Sequence, residues 1–239
     1  MLEKIRLDKI LFLDIETVPQ EQSFEKLDAK SRELWLNKSK FINKTPSDED
    51  HLYNRAGIYA EFGKIVCIST GYFTVTGKEK QLHIKSYYGD DEKALIASFK
   101  ELLDKQFYKS DHMLCAHNGK EFDFPYLCRR MLINRIKLPA ILDIAGKKPW
   151  EIQHLDTMEL WRFGDYKNYT PLALLAHIFG IPSPKEEMDG SQVCNVYWQE
   201  KNLKKIAEYC RKDVITIVQL FLLFMNEEIL SDTQISVED

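Results

Sequence analysis

Six residues near the start, Ile10-Leu11-Phe12-Leu13-Asp14-Ile15, constrain the fold more than any others. An apolar run this short, bounded by charge and by Pro19, reads as a buried strand, and it opens the fold. Asp14 interrupts it. With Glu16 two residues further on, both carboxylates project from one face of the strand, the face that also carries Phe12. Two carboxylates at the end of an apolar strand repel each other and lose solvation unless donors or cations neutralise them. A hard divalent ion does this well, and Mg²⁺ in particular favours a few carboxylates together with water and phosphate oxygens. Taken alone, the common triplet Asp14-Ile15-Glu16 reads first as a solvated strand end.

The rest of the chain predicts an α/β layer. Residues 64–75 and 81–88 are rich in β-branched and aromatic types and flank Thr76-Gly77-Lys78-Glu79, the pattern of a hairpin. Asp90 and Asp91 head a helical pattern of Leu95, Phe99, Leu102, Leu103 and Phe107, and 113–116 follows as a short strand. Residues 124–136 read as a helix with Pro125 in its first turn, and 152–160 contains a further strand or strand end. A short helix over 171–179 is closed by Gly180, and apolar residues recur at helical spacing from 203 to about 228. A strand meander followed by alternating strands and helices predicts a mixed sheet. The segment 20–62 is too long for a structureless loop, so its periodic Leu27, Leu34, Trp35 and Phe41 predict a helical insertion. The polar, acidic tail 231–239 is expected to fray. With no internal repeat, low-complexity tract or linker, residues 1–239 read as one domain.

Composition narrows the function. The 33 Lys and Arg against 37 Asp and Glu give a net charge of −4, which argues against a protein held on nucleic acid by bulk positive charge. Residues 1–9 show no apolar secretory core, and the most apolar run, 214–225, is interrupted by Thr216 and Gln219, so no membrane span is expected. Five cysteines without a C-x-x-C pair or zinc-spaced histidines suit reduced thiols and a cytoplasmic location.

Two further acidic positions carry candidate chemistry. Asp123 closes His117-Asn118-Gly119-Lys120-Glu121-Phe122-Asp123 just before Pro125, where its bland reading is a helix N-cap. In the long C-terminal helix, Tyr209 and Asp213 share a face at i, i+4 spacing, which alone reads as a solvated surface. Lys120, Lys185, Arg211 and Lys212 are candidate phosphate contacts, although scattered cations of this kind are more often solvated surface. His117 reads as a loop or core histidine rather than a ligand.

Taken in order, Asp14-x-Glu16, then Asn118-x-x-x-Phe122-Asp123 with Pro125, then Tyr209-x-x-x-Asp213, the sequence resembles the DnaQ-like DEDD 3′-to-5′ exonucleases of the tyrosine subtype. The likeness is strongest to free-standing proteins similar to the proofreading domain of family-B DNA polymerases. It extends through 60–66 and 180–191. The histidine subtype places a His five residues before the last Asp, where this chain has Glu208. The resemblance implies a ribonuclease H-like fold with a mixed five-stranded sheet flanked by helices. It implies that Asp14, Glu16, Asp123 and Asp213 hold two ions, Mg²⁺ or Mn²⁺, and that Tyr209 orients the attacking water. Asn118 and Phe122 become candidate substrate contacts, while Asp156 is given a structural role. The implied partner is the 3′ end of single-stranded DNA, or of RNA, since nothing in the motifs reads the sugar. The rival reading is a non-catalytic nucleic-acid-binding or accessory subunit, whose mark would be a broken carboxylate set.

Overall fold

The strand that opens the chain becomes the centre of the sheet. In the computed structural model, which describes residues 2–41, 52–77, 79–165, 167–182, 188 and 190–238, β1 (Ile10–Pro19) lies between an antiparallel and a parallel neighbour. The antiparallel one is β2 (Gly63–Thr76), which turns into β3 (Glu79–Tyr88) as the hairpin pattern predicts. The parallel one is β4 (Met113–Ala116), and two-residue β5 (Leu155–Asp156) continues the sheet beyond it. With β6 (Ile235–Glu238) at the far edge, the full order is β5-β4-β1-β2-β3-β6. Its first five strands make the mixed sheet expected of a ribonuclease H-like fold.

Alternation along β1 sorts its side chains onto two helical layers. Leu11, Leu13 and Ile15 pack with α2 (Glu92–Gln106) and α3 (Asp123–Ile133). Ile10 and Phe12 face α6 (Leu203–Phe224) through Val214, Ile217 and Phe221, with the Phe12 ring edge-on to Phe221 at 5.5 Å. Asp14 and Glu16 continue that second face, so the strand aims both carboxylates at the helix that carries Asp213. The pairing of β1 with β2 slips between Glu16 and Thr17. Such a bulge bends the strand where it leaves the core and ends the regular ladder beside the acidic pair.

Two expectations need correction. The sheet has six strands, not five, because the tail does not fray: β6 (Ile235–Glu238) pairs in parallel with β3. The reason lies one turn upstream. Gln219 of α6 donates to the carbonyl of Leu230 at 3.0 Å and accepts from its N–H at 2.8 Å, which delivers the chain to the open edge of β3. Ile235 then packs against the Phe12–Phe221 layer. Polar composition hid a short edge strand in which Ile235 and Val237 alternate with Ser236 and Glu238. Truncation after Leu230 is expected to lower stability by about 1–2 kcal/mol, read as a lower urea midpoint. An unchanged midpoint would mean that β6 contributes nothing.

The second correction concerns element ends. The long helix stops at Phe224 rather than near 228, with Asn226 in a left-handed conformation (φ 60°). The strand end expected within 152–160 is the two-residue β5, and it is short because Asp156 immediately caps α4 (Thr157–Arg162).

Within 20–62, α1 (Ala29–Ser39) starts at Asp28, whose side chain accepts from the N–H groups of Lys30 and Ser31. Trp35 buries its ring against Tyr53 and Phe62, while Leu34 and Phe41 stay exposed. The stretch 42–51 lies outside the described residues. Behind the insertion, the buried Arg130 forks onto Glu92 at 2.8 and 2.5 Å and donates to the carbonyl of Ala60 at 2.8 Å. Glu92 also accepts from the N–H of Ile65, so this pair ties α2, α3 and the start of β2 together. The short α5 (Leu172–Ile178) packs its Leu175 against Leu220 of α6. Among the described residues, no helix is long and apolar enough to cross a membrane.

Candidate active site

β1, the loop before α3 and the middle of α6 converge on one cavity of about 820 Å³. Asp14, Glu16, Asp123, Tyr209 and Asp213 all line it, as do Asn118 and Phe122. The four acids, the tyrosine, Asn118 and Phe122 therefore reach the same space.

The electrostatics are severe. Glu16 and Asp123 are buried, and Asp14 is only partly exposed, with its Oδ2 enclosed and without a hydrogen-bond partner. Burial, then the charges of Glu16, Asp213 and Asp123, push the Asp14 carboxyl well above the usual range. Glu16 moves the same way, through burial first and Asp213 next. Asp123 is pushed up to about 7 by burial, against hydrogen bonds from its own N–H and that of Ile15. The Ile15 N–H reaches Asp123 Oδ1 at 3.2 Å, so the first residue of α3 is fastened directly to β1. Asp123 is thus not the cap of its helix; Phe122 holds that position without a side-chain cap bond.

Such a crowd of carboxylates suits a hard cation. Oxygens of Asp14 and Glu16 lie within 4.8 Å of each other and of Cys210 Sγ. The thiol is a poor third ligand. Burial holds it protonated, and its S–H donates to the Asp14 carbonyl at 3.3 Å. The orphaned Asp14 Oδ2 therefore has the chemistry of a hard-metal ligand, with the oxygens of Glu16, Asp123 and Asp213 around the same cavity. Tyr209 is hydrogen-bonded to Asp213, and burial followed by the neighbouring acids raises its phenol far above its ordinary value.

The loop carrying Asn118 is built around Asp156. Its carboxylate accepts from the N–H groups of Asn118 and Lys120, both at 3.0 Å, and from Met158 and Glu159 at the head of α4. This grip holds Asn118 in a left-handed conformation (φ 62°) with its buried Oδ1 unpartnered. Gly119 is required next, because a Cβ there would lie 2.4 Å from that of Ala116. Phe122 is half-buried against Tyr126. His117 spends both ring nitrogens on Thr157 Oγ1 and the Thr170 carbonyl at 2.9 Å, in keeping with a loop histidine.

A family model described as a predicted 3′-5′ exonuclease related to the exonuclease domain of PolB matches residues 58–236. The chain belongs to that family. Asp14 and Glu16 precede the matched region, and Asp123, Tyr209 and Asp213 fall inside it. A curated DNA polymerase of Pyrococcus glycovorans is 24% identical over 193 residues, covering 72% of this chain and 24% of the polymerase. The solved family B DNA polymerase of Pyrobaculum calidifontis aligns with 90% of this chain and 24% of its own, at 15% identity and a TM-score of 0.47. The chain thus spans about a quarter of the length of each relative.

Among the lining residues that sequence reasoning missed are three that carry polar groups from outside its motifs. Asn54 and Arg55 come from the insertion, and Tyr169, largely exposed, comes from the loop before α5. None sits in a motif; only the fold brings them to the acids. The cations proposed from sequence fare less well. Lys120 pairs with Glu159 at 2.5 Å, Arg211 and Lys212 do not line the cavity, and Lys185 lies outside the described residues.

Proposed function

We propose that this chain is a metal-dependent 3′-to-5′ exonuclease that removes nucleotides from the 3′ end of single-stranded DNA. One observation carries the reading: four carboxylates from three elements meet a tyrosine at one cavity, and a buried Asp14 oxygen there lacks any partner. The partial likeness to a DNA polymerase favours DNA over RNA.

Asp14, Glu16, Asp123 and Asp213 would hold two divalent ions, Mg²⁺ or Mn²⁺. When bound, such ions supply Lewis acidity at the phosphodiester and lower the pKa of the attacking water. The protein's own part is positional. The Ile15 N–H and the β1 register fix the carboxylates before any cation arrives, so little reorganisation remains. Tyr209 keeps its proton, because its phenol is raised; it orients the water by hydrogen bond and is not the base. Asn118, with an unpartnered Oδ1 in a conformation set by Asp156, offers an acceptor to the terminal nucleotide, and Phe122 an apolar face. Five free cysteines suit a reducing compartment, the cytoplasm.

The assay is a time course on 5′-end-labelled single strands, DNA and RNA, with Mg²⁺, Mn²⁺ or EDTA. Stepwise shortening from the 3′ end that EDTA abolishes supports the reading. Strand binding without shortening would point to an accessory subunit. Tyr209→Phe is expected to slow turnover by about 10–100-fold, less than loss of a metal ligand. A loss as large as that of Asp14→Asn would give the hydroxyl a more direct role.

A further inference from the structure

We propose that Arg55 grips the phosphodiester backbone of the substrate strand, which makes the turn Asn54–Ile58 a strand-binding wall of the cavity; this rests on the exonuclease reading above. Two divalent ions only balance four carboxylates, so the loaded centre is near neutral and has little charge left for phosphates beyond the scissile one. Some other group must hold the polyanion. Among the described lining residues Arg55 is the single permanent cation, since burial holds His117 towards its neutral form. Three other basic groups are already engaged. Lys120 is paired with Glu159, Arg162 with Glu121, and Lys64 donates to Tyr197 while lying over its ring. Arg55 is exposed, and no carboxylate among the described residues pairs with it.

The wall is built to hold this charge still. On one side Tyr53 is fully buried, edge-on to Trp35 at 5.7 Å, and its hydroxyl accepts from the Glu21 N–H at 3.2 Å. On the other, Gly57 packs so closely on β1 that a Cβ would lie 3.0 Å from the Val18 carbonyl carbon. Its own carbonyl accepts from the Tyr126 hydroxyl at 2.7 Å. Arg55 sits between these two anchors, so its backbone is fixed and only the side chain remains to be ordered. A guanidinium in that position offers a planar fork to phosphate oxygens at modest entropic cost. Asn54 also approaches Cys194 across the mouth, its Oδ1 4.0 Å from the sulfur, so the cavity is bounded there on both sides.

The test compares wild type, Arg55→Gln and Arg55→Lys. Anisotropy of a short fluorescein-labelled oligothymidylate with a phosphorothioate 3′ end reports binding in Mg²⁺, and the unmodified strand reports kcat and KM. Arg55→Gln is expected to weaken binding and raise KM about tenfold while kcat stays within about twofold, at an unchanged melting temperature. Between about 50 and 200 mM salt, the slope of log affinity against log salt should flatten by roughly 0.7, the loss of one phosphate contact on a single strand. Arg55→Lys should restore the slope and only part of the affinity, because it lacks the fork. Equal affinity and equal slope for wild type and Arg55→Gln overturn the proposal. A wild type that binds but never shortens the strand defeats the exonuclease reading alone, because the binding ratio still decides Arg55. A wild type that neither binds nor shortens the strand overturns both.

Discussion

Asp14→Asn is expected to abolish metal-dependent shortening of a single strand and, at the same time, to make the metal-free protein more stable. The two effects have one cause. Asp14 is raised by burial and by the charges of Glu16, Asp213 and Asp123, so in its ionised form it is a group the folded state tolerates poorly without a cation. Asparagine keeps the shape, removes one of four repelling charges and adds an amide that can donate to its neighbours. In EDTA near pH 8 the urea midpoint should therefore rise, by the equivalent of about 1–2 kcal/mol, where most buried substitutions lower it. Turnover should fall by at least about a thousandfold, some 4 kcal/mol of barrier, because the orphaned Oδ2 is the oxygen best placed to bind a hard ion.

The pairing of the two readouts separates this account from its rival. A structural carboxylate, such as Asp156 with its four backbone donors, would lose stability on the same substitution, because those N–H groups would be left without their acceptor. If Asp14→Asn unfolds more easily than wild type in EDTA, Asp14 is a structural acid and the cavity is not a metal centre. If stability rises but shortening persists, the site binds cations without needing this oxygen for chemistry.

Where sequence succeeded and failed follows from the range of the interactions involved. The acidic pair on β1 was legible because alternation along a strand is a local rule, and Phe12, Asp14 and Glu16 obey it. The i, i+4 pair Tyr209 and Asp213 was legible for the same reason on a helix. Asp123 was half legible. Its place at the head of α3 follows from Pro125, but its bond to the Ile15 N–H spans 108 residues, and nothing local announces it. Arg55 and Tyr169 were invisible, since they stand in a short 3₁₀ turn and a loop whose course depends on Tyr53, Gly57 and Thr170 finding distant partners. The tail misled because a parallel edge strand with one layer of apolar contact carries little hydrophobic pattern. Its anchor, Gln219, reads in the helix as an interruption and in the fold as the clamp on Leu230.

The same crowded carboxylates should make cation binding and pH act against each other on stability. Asp123 titrates near 7 in the folded chain and near 3.9 when unfolded, so over that interval the folded state holds the extra proton. A carboxyl raised in this way contributes stability that is present at low pH and lost as pH rises through about 7. His154 works in the opposite sense, because burial lowers it to about 4; its effect is confined below about pH 6.5, where the unfolded histidine begins to charge. A comparison from about pH 6.5 upward therefore isolates the acids. In EDTA the urea midpoint should fall over that range. With millimolar Mg²⁺ or Mn²⁺ it should hold level, because each cation replaces the protons that the acids give up. The increment due to metal should be small near pH 6 and grow by the equivalent of about 1–3 kcal/mol by pH 8. Asp14→Asn should remove most of that increment at every pH. A metal increment that is the same at pH 6 and pH 8 would mean that the ions bind exposed surface acids with ordinary pKa values, and that the buried cluster does not take them up.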